Sequence, residues 1–185
     1  MQLPRETMDE PIVPREIRTI YEGRVLTLQV ESITLPKGDH LEAEIIRHPG
    51  SVVIVPVTGD GGIVLVRQYR PALGRWAWEL PAGSLKPGED VRRAAIRECH
   101  EEIGLLPSRL EPLGSFYPTP GYCDEKMNFF VADGLREATT EDEAAHPDAD
   151  EDIEARAFSR AEIQTMIAGG EIIDLKTVAG MSLLR

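Results

Sequence analysis

Three glutamates, Glu98, Glu101 and Glu102, stand at positions i, i+3 and i+4 of one short stretch. At about 100° per residue in a helix they share one sector of its surface. Carboxylates held that close repel by a few tenths of a kcal/mol per pair, and a bound divalent cation would offset the repulsion. Hard Mg2+ or Mn2+ takes carboxylate, carbonyl and water oxygens and commonly handles phosphate substrates. A glutamate-rich helical face is otherwise a solvated face. Here, however, Val91, Ala95, Ile96, Cys99 and Ile103 predict the apolar stripe of the same helix, and Glu98 and Glu102 lie beside it or within its edge. A partly buried carboxylate needs a partner. Arg97 can compensate either Glu101 along the helix or Glu89 across the preceding loop, but not the whole set.

The elements that must position these groups follow from periodicity and punctuation. A helix is expected from about Asp90 to Glu102, stopped by Gly104. A short strand over Trp76–Leu80 leads into Pro81-Ala82-Gly83, where the chain must turn tightly. Val52–Val57, the turn Gly59-Asp60-Gly61-Gly62 and Ile63–Val66 predict a hairpin. Val25–Val30 and Leu41–Ile46, around Lys37-Gly38-Asp39, read as earlier antiparallel strands, and Asn128–Ala132 and Ala155–Phe158 as later ones. Arg160–Ala168 after the Ser159 cap, and Lys176–Leu184, read as helices. The organisation expected is a flexible tail over 1–14, a small β subdomain over 15–48 and a main domain over 49–185.

Between the late strands, residues 137–154 contain nine acidic side chains and no Lys or Arg. Such a segment is ordinarily a solvated loop, yet long loops in compact domains also serve as lids. A carboxylate delivered there could activate water, which metal-bound glutamates do poorly because the cation lowers their basicity.

The chain has 185 residues, enough for one sizeable core with an appendage. A net charge of −12 argues against nucleic acid or an anionic membrane as partner. Two cysteines, Cys99 and Cys123, give no disulfide framework and suit a reducing compartment, and Cys99 reads as a packing residue. No leader pattern or membrane-length apolar run is legible, so a cytoplasmic location is expected.

The pattern Gly83, five residues, Glu89, seven residues, Arg97-Glu98, apolar, any, Glu101-Glu102, any, Gly104, apolar resembles the complete Nudix box. The resemblance implies an α/β fold, an α/β/α sandwich with a small N-terminal antiparallel sheet, that cleaves a nucleoside diphosphate linked to another moiety with Mg2+ or Mn2+. The flanks Val66-Arg67-Gln68-Tyr69-Arg70-Pro71, Glu79-Leu80-Pro81-Ala82-Gly83, Tyr117–Glu125 and Gly170–Thr177 are similar to the ADP-ribose pyrophosphatase branch. In that branch the N-terminal strands are exchanged or packed across a homodimer, so residues 17–48 are expected to serve dimerisation.

Matching positions imply that Glu98, Glu102 and the Ala82 carbonyl hold metal, with Glu101 as a further ligand or outer-shell group. Gly83 allows the turn that aims Ala82, and Glu89 holds Arg97 or approaches a second ion. Arg70 would grip the diphosphate or else form a surface ion pair; Arg67 joins it or points outward. Glu79 would touch substrate or metal-bound water, and Pro120 with Gly121 would meet the substrate. Glu151, in the segment Glu151-Asp152-Ile153-Glu154, matches the family's loop glutamate as base or extra ligand, and Glu101 and Glu102 join it in the catalytic set; Glu154, Asp152 and Glu125 are the alternatives. Tyr21, Trp76, Trp78 and Tyr122 could stack on adenine or pack the core. The products implied are AMP and ribose 5-phosphate. Other Nudix specificities (GDP-sugar, dinucleoside polyphosphate, NADH) stay open, as does a non-catalytic nucleotide-sensing module.

Overall fold

The computed structural model describes residues 13–139 and 153–184. The chain divides into two compact units: one runs to His48 and includes Thr119–Asp124, and the other comprises Pro49–Pro118 and resumes at Glu125.

The first unit is an antiparallel sheet of β1 (Glu16–Glu22), β2 (Thr27–Thr34) and β3 (His40–Arg47), in that order. All seven residues of β1 are exposed, and the strand falls at the start of the 17–48 stretch expected to form strands. Arg47 stitches the separate segment to the sheet through Asp124, at 2.9 Å, and also pairs with the buried Glu31.

The second unit is built on β4 (Ser51–Pro56), buried along its whole length. Its hairpin partner in sequence, β5 (Ile63–Arg70), instead joins a separate sheet with β6 (Arg75–Glu79). Next come β7 (Ala82–Ser84), α1 (Val91–Ile103), β8 (Leu105–Leu106) and β9 (Arg109–Phe116). The remainder is β10 (Met127–Asp133), β11 (Arg136–Glu137), β12 (Ile153–Phe158), α2 (Arg160–Ala168) and α3 (Leu175–Leu183). One sheet has the order β7-β4-β10-β9, with β4 and β10 parallel; the other has the order β12-β5-β6; β8 and β11 form a small pair.

The period of two along β4 sends its side chains into two cores. Val52 and Ile54 meet Ala94 and Ala95 of α1, with Phe130 of β10. Val53 and Val55 face Leu65, Phe129, Ile163 of α2 and Met181 of α3. The sheet region is thus covered by α1 on one side and by α2 and α3 on the other, which explains why β4 is continuously apolar.

Local chemistry sets the helix ends. Asp90 caps α1 by accepting from the Arg92 and Arg93 amides at 3.1 and 3.0 Å, and Gly104 ends it at φ 71°. Ser159 and Glu162 form a capping box on α2. Several expectations shift. The strand foreseen over Ile63–Val66 continues to Arg70, which places Gln68-Tyr69-Arg70 on it. The buried face of α1 is Ala94, Ala95, Cys99, Glu98 and Glu102, while Val91, Ile96 and Ile103 are half-buried. Two adjacent alanines let the helix approach β4 closely, which turns the glutamates inward.

Candidate active site

Strand β7 is only three residues long, and each is engaged from α1. The Ala82 amide donates to Glu102 Oε2 at 3.1 Å. Gly83 lies directly against the Glu98 carboxyl, where any Cβ would overlap it. The Ser84 carbonyl accepts from Arg97 Nη2 at 3.4 Å. Glu98 and Glu102 are each 7% exposed, so two carboxylates from adjacent helical turns converge on one stretch of backbone.

Arg97 organises the remaining acids. Its Nε and Nη2 donate to the two oxygens of Glu89 at 2.8 and 2.9 Å, and its Nη1 donates to Glu98 at 2.7 Å and Glu101 at 2.5 Å. The sequence left Glu89 and Glu101 as alternatives; the guanidinium takes both, and Glu98 as well. The hydrogen bonds that Arg97 donates to Glu89 raise the Arg97 pKa against the opposing effect of burial. In return Arg97 holds the Glu89 carboxyl below its ordinary range. Glu89 also accepts from the Lys86 amide at 2.9 Å, which fixes the loop ahead of the helix. Cys99 is a core residue: burial, then the Glu102 charge, push its thiol up to about 12.

Ala82 and Gly83 line a cavity of about 370 Å³ together with Arg70, Glu79, Glu125 and Lys176. Glu79, 2% exposed, accepts from Arg70 Nε at 2.9 Å and Nη2 at 2.6 Å, and from Lys176. Burial would push the Glu79 carboxyl up, but the Arg70 hydrogen bonds and the Lys176 charge bring it below its ordinary value. Lys176 also pairs with Asp174 at 3.0 Å. Glu125 accepts from Ser51 Oγ at 2.8 Å.

The structure therefore brings Ala82, Gly83, Glu98 and Glu102 together and sets Arg70 and Glu79 on the same cavity. Arg67 instead lies over the Trp76 ring at 5.2 Å and 3.6 Å from Glu154. Pro120 and Gly121 belong to the first unit. Glu151 and Asp152 lie outside the described residues. Trp78 stacks edge-on against Phe158 at 4.9 Å and packs on the core, whereas Tyr21 and Tyr122 are exposed. Sequence spacing gives Lys176 and Ser51 no role, since an isolated Lys after a helix cap and a Ser opening a strand carry no pattern.

Among the described residues, no three Asp, Glu, His or Cys side chains form a ready metal cluster. Arg97 engages oxygens of Glu98 and Glu101, and the Ala82 amide engages Glu102. The donor set still suits a hard cation: it is all oxygen, nearly buried, and set against a glycine that leaves the backbone accessible.

The NUDIX domain family matches residues 47–179. The methanol dehydrogenase activator of Bacillus methanolicus is 39% identical over 166 residues, spanning 90% of this chain and 88% of that protein. The ADP-ribose pyrophosphatase of Bacillus subtilis (strain 168) is 33% identical over 180 residues, 97% of this chain and 95% of that protein. A crystal structure of an ADP compounds hydrolase superposes with a TM-score of 0.80 at 23% identity, covering 95% of this chain and 93% of that one. That structure shares the fold, and the sequence match runs through the box helix and the cavity residues alike, so this chain belongs to the Nudix hydrolase family.

Proposed function

We propose that the protein hydrolyses the diphosphate bond of ADP-ribose to AMP and ribose 5-phosphate, with Mg2+ or Mn2+, as a cytoplasmic homodimer. The observation that carries this reading is the convergence of Glu98 and Glu102 on Ala82-Gly83, backbone that lines the same cavity as Arg70. Glu98, Glu102 and Ala82, with Glu101 beside them, would hold the cation, which when bound neutralises phosphate oxygens and acidifies water. Arg70 pairs side-on with Glu79, leaving Nη1 to meet a phosphate oxygen. Glu89 and Arg97 keep the loop and helix in register so that the carboxylates stay aimed at β7. Glu151 is retained as the base, and Pro120 and Gly121 as substrate contacts, on the strength of the family pattern. The relatives named ADP-ribose pyrophosphatase support the choice of substrate.

A second reading draws on the relative named methanol dehydrogenase activator. Under it the same site cleaves another derivative, such as NADH, a GDP-sugar or a dinucleoside polyphosphate, and the chain modulates a dehydrogenase.

A panel of these compounds with Mg2+, scored by product identity, decides between the readings; AMP and ribose 5-phosphate from ADP-ribose are expected. Glu98→Gln and Glu102→Gln should each lower kcat by about 100-fold or more with the fold intact, as when transition-state charge loses its stabilisation. Near-wild-type turnover of both at saturating Mg2+ would reject the metal assignment, and an unmodified protein that hydrolyses nothing in the panel would be a sensing module instead.

A further inference from the structure

The first turn of α3 places a lysine where the fold has no need of one. Asp174 already caps the helix by accepting from the Thr177 amide at 2.9 Å and its hydroxyl at 2.6 Å. Thr177, fully buried, accepts from the Leu80 amide at 2.8 Å and so fastens α3 to the end of β6. Both contacts are complete without Lys176. Yet the Lys176 side chain is only 9% exposed, and burying an ammonium is expensive enough that apolar replacements of buried ion pairs are often neutral or stabilising. The charge is better explained by what it faces.

Lys176 shares the buried Glu79 with Arg70, and all three line the cavity beside Ala82 and Gly83. Asp174, 3.0 Å from Lys176, lines the same cavity, so the two cations and two carboxylates of this cluster balance. Glu79 presents its two oxygens to the side edge of the Arg70 guanidinium, Nε and Nη2, which sets the orientation of the remaining Nη1. Without Lys176, Glu79 would answer to Arg70 alone and the cluster with Asp174 would turn net negative. A ligand carrying adjacent phosphates suits a fixed guanidinium beside which the charges of Glu79 and Asp174 are offset, within a protein whose net charge is −12.

We infer that Lys176 is a positioning residue for a diphosphate subsite: through Glu79 it fixes Arg70, and it offsets the charge of Glu79 and Asp174, so that the cavity takes nucleoside diphosphates. This rests on the reading in which Arg70 meets the diphosphate, but not on which nucleoside is attached. The test measures ADP and GDP binding by calorimetry in Mg2+, together with thermal unfolding, for the unmodified protein, Lys176→Met and Lys176→Gln; the glutamine can still donate to Glu79. Removing the charge should weaken binding of whichever diphosphate is preferred by about tenfold or more. For whichever substrate is cleaved, KM should rise similarly while kcat stays within about threefold. Folded variants that bind within about twofold of the unmodified protein would overturn the inference, because a purely structural lysine would move the unfolding temperature alone. So would an unmodified protein that binds neither diphosphate. A protein that prefers GDP, or spares ADP-ribose, and still shows the Lys176 effect would reject the proposed substrate and keep the subsite.

Discussion

Glu79 shows how one side chain can belong to stability and to the site at once. Burial raises its carboxyl, and the Arg70 hydrogen bonds and Lys176 charge more than reverse that, so its folded pKa lies below the unfolded one. A depressed carboxyl contributes stability in full above the unfolded value, about 4.3 for Glu, and loses it as pH falls through the folded value. Glu79→Gln removes that contribution at every pH. The melting temperatures of the unmodified and Glu79→Gln proteins should therefore differ by a constant amount from neutrality down to about pH 5 and converge as pH falls through the folded value. A gap that does not narrow as pH falls would mean that the fold does not hold the Glu79 carboxyl below its unfolded value. The role of such residues is unevenly legible. Glu98, Glu102 and Arg97 announce themselves because helical spacing puts unlike demands on one face. Lys176 is joined to Glu79 across 97 positions of sequence, and no local pattern encodes that pairing.

At the scale of elements, α3 reaches the site because it packs unusually close to the sheets. Gly180 is buried in its middle, and a Cβ there would run into the Leu80 side chain, with Val55 Cγ2 at 3.4 Å and Phe129 Cδ1 at 3.7 Å. Glycine inside a helix is unfavourable by roughly 1 kcal/mol against alanine, so close approach is what the residue contributes. Gly180→Val should destabilise the protein by about 1–3 kcal/mol through overpacking, measured by urea denaturation; unchanged stability would mean that α3 has room to spare. Elements with clean periods and caps, β4, α1 and α2, were readable from sequence within a residue or two. By contrast β9 carries Pro112 and Gly114, the latter at φ 137°, near the point where its pairing with β10 shifts register. Those residues punctuate like a loop, and only the long-range partner makes them a strand. The three-residue β7 is likewise defined by its neighbour β4 rather than by its own composition.

At the scale of the whole molecule, composition argued against nucleic acid and anionic membranes as partners, and among the described residues no helix is long and apolar enough to cross a membrane. It could not say that Thr119–Asp124 belongs with the first unit, since a backbone bond from the Ile46 amide to the Tyr122 carbonyl at 2.7 Å joins segments 76 residues apart. That unit also frames the last prediction. Among the described residues, strand β1 lies at the edge of its sheet, and its Ile17, Ile20 and Tyr21 are all exposed. An apolar, unpaired edge is a liability that proteins cover or pair. A second copy of the same chain, joined through a two-fold axis, covers both edges with one contact. The protein should therefore have twice the chain mass in light scattering at assay concentration. Ile17→Glu combined with Ile20→Glu should shift it to monomer, because a charge directed into an apolar contact is costly. If the partner's first unit completes the site, activity should fall with the dimer and recover at high protein concentration. A monomeric mass with full activity in the unmodified protein would remove the dimer and require β1 to be a tolerated, solvent-facing edge.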